Sequence, residues 1–191
     1  ASIRFFEQLS AESPSNENKY AYLMALQARG NSEKALILVD ELLTKYPKNL
    51  ILNITKAEIY LLGQRLEKAK VQIEKVLKIS PGNYPASIIK SSILSAQNKT
   101  IQAEEIVREL LITKNNDPHL WMLLSEIQRS GKNILGYHLS RGEYYLLLGD
   151  LENALNQFQF ALRISGSSFQ TSETIMTKIK YAQDRLGQKR G

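Results

Sequence analysis

The amino-acid sequence predicts an all-α solenoid of about ten to eleven antiparallel helices. Three alanines, Ala35, Ala69 and Ala103, follow one another at intervals of 34 residues, and Pro47 and Pro81 share this spacing. A period of this length is typical of stacked helix pairs, because one pair cannot bury its apolar face alone.

A larger apolar residue follows each of these alanines after four positions, as Val39, Ile73 and Val107. Ala154 and Phe158 repeat the arrangement with an aromatic residue. Residues four apart lie on the same face of a helix. A small residue there lets two helices approach closely, and the larger residue fills the next gap. We therefore predict that these positions form the core between paired helices.

Apolar periodicity, glycines and prolines divide the chain into helices and turns. Pro14 follows an N-terminal helix, and Gly30 and Gly63 end the first helix of two successive pairs. Ser32 begins a helix, and Thr100 is the predicted N-cap of another. The helices are expected at about 2–11, 16–29, 32–45, 49–62, 65–79, 83–97, 100–114, 118–130, 134–148, 151–165 and 169–187.

These helices fall into three predicted segments: an N-terminal helix and linker (1–15), a repeat array (16–165), and a capping helix with a basic tail (166–191). The array divides into units at about 16–47, 50–81, 84–117, a half unit at 118–133, and 134–165. The last helix carries an apolar stripe that predicts a cap, with docking of a partner as the alternative. The stripe consists of Ile175, Ile179, Ala182 and Leu186.

The period changes by half a repeat between Ala103 and Ala154, which are 51 residues apart. Tyr137 and Arg141 stand where a packing alanine and its apolar follower are due. We interpret this as the loss of one helix near 118–150. The helix that begins at 134 must then pack against both of its neighbours, and we expect a local change of superhelix direction there.

Residue types and spacing together resemble the tetratricopeptide repeat (TPR) family over most of the chain. Trp121 and Leu124 match the family's W-x₂-L element, and Gly142 and Tyr145 match its G-x₂-Y element. The alanines with their apolar followers match its A-x₃-F element. The resemblance implies a TPR-like α-solenoid that binds proteins or peptides.

In TPR proteins, the fifth, ninth and twelfth positions of each first helix point into a concave, peptide-binding face. The resemblance places this face at Tyr20, Met24, Gln27, Ile54, Glu58, Leu61, Ile88, Ser92, Ser95, Met122, Glu126, Arg129, Leu139, Glu143 and Leu146. Packing against a neighbouring helix is the alternative for Ile54, Ile88 and Leu146. TPR proteins that grip a C-terminal carboxylate use a Lys/Asn/Arg cluster here, and these positions are mostly apolar or acidic. A terminal-carboxylate clamp is therefore not expected.

The second half of the chain also resembles the C-terminal region of BepA-type bacterial HExxH zinc metalloproteases. The resemblance spans about 16–187, and its specific part is the second half. The matching residues are Pro118, Trp121, Leu123, Leu124, His138, Arg141, Gly142, Glu143, Tyr144, Tyr145, Leu147, Gly149, Asp150, Leu151 and Ala154.

This second resemblance implies the non-catalytic TPR region of a periplasmic protease engaged in outer-membrane protein quality control and assembly. Its expected partners are client proteins, the assembly machinery and an upstream protease domain that would hold the zinc. The HExxH signature is absent from this chain, and its only histidines are His119 and His138, so we expect neither catalysis nor a metal site. The alternative is a stand-alone TPR scaffold or adaptor, cytoplasmic or in a cell-envelope or secretion complex.

Composition excludes several other classes of protein. The chain has no cysteine, so it has neither disulfides nor thiolate catalysis. The longest apolar runs, such as Leu120–Leu124, are far shorter than the roughly 20 residues that span a bilayer. The first ten residues lack the pattern of a signal peptide.

The basic excess behind the net charge of +6 lies on a central segment and on the C-terminal tail. Residues 65–99 carry seven basic and two acidic side chains, and Lys68, Lys75 and Lys78 share one predicted helix face. Such a patch attracts anionic partners. Tyr84 is the only aromatic residue there, and single-stranded nucleic acids need aromatic side chains for base stacking, so a nucleic-acid partner is not expected.

Overall fold

A computed structural model describes residues 3–166 and 168–190, with side chains through 188. These residues form eleven α-helices and no strand. Residue 2, at the start of the first predicted helix, and the end of the predicted basic tail lie outside this description. The helices are α1 (Ile3–Glu12), α2 (Asn16–Ala28), α3 (Ser32–Lys45), α4 (Leu50–Leu62), α5 (Leu66–Ile79), α6 (Tyr84–Ala96), α7 (Thr100–Thr113), α8 (Pro118–Ser130), α9 (Ile134–Leu147), α10 (Leu151–Ile164) and α11 (Phe169–Arg190).

The all-helical prediction is confirmed. Ten of the eleven helices begin and end within one residue of the predicted bounds, whereas α11 runs three residues further. The chain forms two compact units, Ala1–Ile93 and Leu94–Gly191, which are described separately below.

The predicted packing residues are buried in both units. Each of the four repeated alanines is 0% exposed, and their four followers are 0–1% exposed: Ala35 and Val39, Ala69 and Ile73, Ala103 and Val107, Ala154 and Phe158. The sequence pattern therefore identified the interior of each helix pair.

Each unit has its own apolar core. In unit 1, Leu23 and Leu26 of α2 pack with α3 and α4, and a second cluster joins α4, α5 and α6. In unit 2, Phe158 and its neighbours on α10 pack with Ile175 of α11. The predicted stripe of α11 contributes to this core, since Ile175 is 1% and Ala182 0% exposed.

The N-cap predicted at Thr100 is wrong. Lys99 occupies the cap position, and Thr100 is already the first residue of α7. The reason lies in the backbone, since the first bond of the helix runs from Ala103 N–H to the carbonyl of Lys99. Lysine offers no acceptor to the helix N-terminus, so α7 has no side-chain cap.

The backbone keeps the 34-residue period where the sequence pattern changes. The turn after α2, α4, α6 and α8 holds one residue with a left-handed backbone, at Gly30, Gln64, Asn98 and Lys132. Successive members of this set are 34 residues apart, although the four are of four different residue types. The period was therefore present in the turn geometry but hidden from the sequence.

The turn between α9 and α10 repeats the geometry of a turn within a helix pair. Gly149 has a φ of 73°, and the next residue, Asp150, donates its N–H to the carbonyl of Tyr145 five positions back. The corresponding bond after α8 runs from Asn133 to Gln128. Helix α9 packs against both α8 and α10, as predicted. It is thus the second helix of one pair and the first helix of the next.

Candidate protein-binding surface

In unit 1, two predicted groove positions meet across neighbouring first helices. The side-chain amide of Gln27 on α2 donates a hydrogen bond of 3.4 Å to Glu58 on α4. Burial raises the pKa of the Glu58 carboxyl, and the bond from Gln27 partly opposes that rise. Met24, one turn before Gln27, is 43% exposed. This part of unit 1 combines an accessible thioether with a half-buried polar pair.

Other predicted positions of unit 1 support the core. Tyr20 and Leu61 pack against the two core clusters while remaining partly exposed. Ile54 is 8% exposed, so it lies in the core, which is the alternative left open by the sequence. Ile88 is half-buried, and its carbonyl accepts a hydrogen bond of 3.1 Å from the hydroxyl of Ser92.

In unit 2, the α8 positions form a stripe that we call the Met122 face. It consists of Met122, Glu126 and Arg129 of α8 together with Arg141 and Tyr145 of α9. Glu126 and Arg129 form an ion pair one turn apart. Arg141 reaches from α9 to α8 and lies 2.8 Å from Sδ of Met122.

The predicted α9 positions lie on another surface, which we call the Leu139 pocket. It is an open cavity of about 400 Å³ lined by residues of α7, α8, α9 and α11. Its lining includes Trp121, Leu139, Ser140, Glu143, Thr174 and Lys178. Glu143 forms an ion pair with Lys178 of α11. Leu146, the third predicted α9 position, packs against the core of this unit.

The geometry of α9 explains why the predicted positions of unit 2 occupy two surfaces. Leu139, Arg141 and Glu143 are successive alternate residues of one helix. Residues two apart project about 200° apart, so Arg141 points away from the other two. Position counting assigned Leu139 and Glu143 to the same groove as α8. Because α9 also serves as the second helix after α8, the side of α9 next to Met122 carries Arg141 instead.

A buried hydrogen-bond network lies beside the Leu139 pocket. Gln128, which is 1% exposed, donates to Glu104 at 3.0 Å and accepts from the hydroxyl of Ser140 at 2.7 Å. Glu104 also pairs with Arg108, one turn away on α7. Gln128 and Ser140 are buried, whereas Glu104 and Arg108 extend toward the surface. The network joins three helices through hydrogen bonds, so it helps to fix their relative positions.

The histidines have structural surroundings. Nδ1 of His138 lies 2.8 Å from the side-chain oxygen of Gln157, and its ring stacks on Phe160. His119 is exposed in the first turn of α8. Within residues 3–166 and 168–190, no three metal-ligating side chains converge. No helix in that part of the chain combines the length and the hydropathy needed to cross a membrane.

The lysines of α5 line two shallow cavities of unit 1. Lys68 and Lys75 surround one with Tyr60 of α4, whose ring also lies below the ammonium of Lys56 at 5.7 Å. Lys75 and Lys78 line the other cavity.

Sequence reasoning missed part of this surface. The sequence marked Arg141 as an irregularity of the repeat and as a matching family residue, and Tyr144 and Tyr145 as matching family residues, but it assigned none of them to the binding face. The rings of both tyrosines lie within 5.4 Å of the Arg141 guanidinium. The available clue was a charge at a position that is apolar in the other units.

Comparison with known proteins finds similarity to tetratricopeptide repeat proteins. The tetratricopeptide repeat family model matches residues 64–127. Among curated proteins, sperm-associated antigen 1 from Rattus norvegicus is 28% identical over 104 residues. That match covers 54% of this chain but only 12% of the rat protein.

Solved TPR structures share the fold at low sequence identity. A TPR protein from Parabacteroides merdae has a TM-score of 0.61 and 16% identity, covering 95% of this chain and 76% of that one. MamA from Desulfovibrio magneticus has a TM-score of 0.62 and 13% identity, covering 92% and 97%. YrrB, described as a TPR protein with an unusual peptide-binding site, has a TM-score of 0.56 and 13% identity, covering 92% and 100%.

These similarities agree with the geometry. Nothing in them indicates catalytic activity, and TPR repeats are typically non-catalytic scaffolds for protein partners. Residues 64–127 match the tetratricopeptide repeat family model, the all-α fold resembles that of TPR solenoid proteins, and this fold suggests a protein–protein interaction module.

Proposed function

We propose that this chain binds a segment of a partner protein along the first-helix faces of its repeats. In unit 1 the binding surface comprises Met24, Gln27 and Glu58, and in unit 2 it is the Met122 face. The observation that carries the proposal is the contrast between these positions and the packing positions. The repeated alanines are fully buried, whereas Met24 is 43% exposed and belongs to neither core cluster of unit 1.

The composition of these faces favours a peptide partner. Methionine is flexible and polarizable, so it adapts to varied apolar side chains. Half-buried polar groups such as Glu58 can fix the orientation of a bound peptide through hydrogen bonds. The Leu139 pocket is less suited to a long segment, because Lys178 of α11 already pairs with Glu143 at that surface. The peptide-binding description of YrrB, a protein of similar fold, supports the same class of partner.

Site-specific photo-crosslinking tests this proposal. A photoreactive amino acid replaces Met24 or Met122 in the source cells, and Met176 on α11 is the control because it is also 43% exposed. We expect one and the same protein to be captured from Met24 and Met122 and not from Met176. Adducts that are absent from both test positions, or equal at all three, would contradict the proposal.

We further propose the finer context that the sequence resemblance suggests: the TPR region of a periplasmic zinc metalloprotease that acts in outer-membrane protein quality control and assembly. In that context, zinc belongs to an upstream catalytic domain, and partners include that domain, client proteins and the assembly machinery. The residues from Pro118 to Ala154 that match this family support the idea.

The coding sequence upstream of Ala1 tests the finer context. An in-frame domain with HExxH is the expected finding. A different upstream domain, or none, would favour the alternative of a stand-alone TPR scaffold or adaptor.

A further inference from the structure

Arg141 occupies a position that is otherwise reserved for buried apolar residues. Counting back by 34 residues gives Val107, Ile73 and Val39, each 0–1% exposed. At the same register, α9 presents a guanidinium. A charge that replaces a core residue is costly unless an opposite charge compensates it.

The described part of the chain supplies no carboxylate for this guanidinium. Among the described side chains, five lysine and arginine residues are half-buried. Four of them pair with a carboxylate, namely Lys19 with Glu41, Lys56 with Asp40, Lys70 with Glu74 and Lys178 with Glu143. Arg141 is the fifth, and no described carboxylate pairs with it.

The Arg141 guanidinium is surrounded instead by uncharged groups, namely a hydroxyl, a thioether sulfur and two aromatic rings. Nη2 donates to the hydroxyl of Tyr145 at 2.6 Å, and Nη1 points at Sδ of Met122. Nε is buried and has no hydrogen-bond partner. The guanidinium carbon lies 4.9 Å and 5.4 Å from the ring centres of Tyr145 and Tyr144. The rings hold the cation in place, while a thioether is only a weak acceptor for a charged donor.

We propose that Arg141 binds the carboxylate of an aspartate or glutamate side chain in the partner segment. The inference rests on the proposed function, because Arg141 belongs to the Met122 face. The incoming carboxylate takes the place of the Met122 sulfur as acceptor of Nη1. Arginine offers two parallel donors to a carboxylate, and Tyr144 and Tyr145 fix the plane of this fork.

An acidic side chain fits the surroundings better than a C-terminal carboxylate. Terminal-carboxylate clamps in TPR proteins draw on a cluster of donors, whereas the α8 part of this face has one other cation, Arg129, which is paired with Glu126. The apolar atoms of Met122, Tyr144 and Tyr145 also favour an acidic residue flanked by an apolar one.

A peptide array provides the probe. Each sequence is printed in a carboxylate form and in an amide form, with Asp and Glu replaced by Asn and Gln, and all peptides are C-terminally amidated. We expect the wild type to prefer the carboxylate form of its best ligands by about 10-fold to 100-fold. Arg141→Gln should abolish this preference, and Arg141→Lys should retain part of it, because charge remains without the fork.

The matched control is Arg185→Gln. Arg185 also lies over a tyrosine one turn away, Tyr181, but on the exposed surface of α11. This variant should keep the full preference. The ratio between two peptides on one variant does not depend on how much of that variant is folded, so a loss of stability in Arg141→Gln does not obscure the result.

The remaining outcomes separate this inference from the proposed function. Peptides that bind without any preference for carboxylate, or a preference that survives Arg141→Gln, would overturn the inference alone. The best ligands are also made with a free C-terminus, and binding that requires that free carboxylate would overturn the side-chain assignment. An array on which nothing binds would contradict the proposed function together with the inference.

Discussion

Gly142 on α9 lies directly against the ring of Phe158 on α10. A Cβ at position 142 would stand 2.6 Å from Cδ1 and 2.7 Å from Cζ of that ring, closer than real Cβ atoms approach their neighbours. Phe158 is 0% exposed and sits at the centre of the unit 2 core. The contact joins the G-x₂-Y and A-x₃-F elements, so α9 and α10 pack as a first and second helix.

Gly142→Ala should therefore destabilise unit 2. Phe158 is enclosed on all sides and cannot move away, so we expect a loss of about 1–3 kcal/mol in the free energy of unfolding. Urea denaturation followed by circular dichroism measures the change. Gly187→Ala on α11 is the control, since nothing lies within 4 Å of its Cβ position. That variant should be up to about 1 kcal/mol more stable, as alanine favours helix. Equal effects of the two substitutions would refute the tight contact.

Glu58→Gln should stabilise unit 1 near neutral pH. Burial raises the pKa of Glu58 above its ordinary value of 4.5, so the folded state keeps this proton to a higher pH than the unfolded state. Stability from this group is therefore greatest below the ordinary pKa and falls as pH rises through the raised pKa. Glutamine removes the cost, and its amide can donate to the buried, unpartnered side-chain oxygen of Gln27.

We expect Glu58→Gln to gain about 0.5–1.5 kcal/mol at pH 7.5 and much less at pH 4. The control is Glu7→Gln on α1. Hydrogen bonds from Tyr22 and Lys34 lower the pKa of Glu7, so its contribution is present above the ordinary pKa and disappears as pH falls. Glu7→Gln should thus lower stability at pH 7.5. Urea unfolding at both pH values measures these changes. A Glu58→Gln protein that is less stable than the wild type at pH 7.5 would contradict the claim that the buried Glu58 carboxylate costs stability.

Replacing Gln128 and its partner Ser140 together should cost less than the sum of the two separate replacements. In Gln128→Leu, the Ser140 hydroxyl loses its acceptor and Glu104 loses a donor, so we expect a loss of about 1–3 kcal/mol. The double variant with Ser140→Ala should lose less stability than the sum of the losses of the two single variants. We expect this difference, the coupling energy, to be about 0.5–1.5 kcal/mol. Strictly additive losses in urea denaturation would show that the bond contributes nothing.

Gln64→Gly should stabilise the turn between α4 and α5. Gln64 has a φ of 58°, a left-handed conformation that costs a side-chain-bearing residue about 1–2 kcal/mol. Part of the gain is lost to the greater freedom of glycine in the unfolded chain, so we expect about 0.5–1 kcal/mol. Gly30→Ala, at the same turn position one repeat earlier, should have the opposite effect. If both variants shift the thermal midpoint in the same direction, the left-handed backbone of this turn does not determine the stability change.

The sequence predicted the fold well because helix pairs leave a strong periodic pattern. Ala35, Ala69 and Ala103 must be small for two helices to touch, and few residue types meet that demand. Turn geometry is harder to predict from the sequence, because Gln64, Asn98 and Lys132 adopt the same left-handed backbone as Gly30 although none of them is a glycine. The cap at Thr100 was misplaced by one residue for the same reason.

The candidate site was less predictable because it depends on neighbours. Counting positions along α9 gives the direction of Leu139 and Glu143 on their own helix, but not which helices lie opposite. That depends on α9 belonging to two pairs at once, which places Arg141 beside Met122 and Glu143 beside Lys178. The binding role of the predicted positions, and the expected change of superhelix direction at α9, stay predictions.

Amide chemical-shift mapping tests the central claim, that a partner segment binds the Met122 face rather than the Leu139 pocket. The ¹⁵N-labelled chain is titrated with the tightest peptide from the array. We predict that the largest shifts in unit 2 fall on Met122, Glu126 and Arg141. Largest shifts at Leu139, Ser140 and Thr174, or no shift in unit 2, would contradict the account.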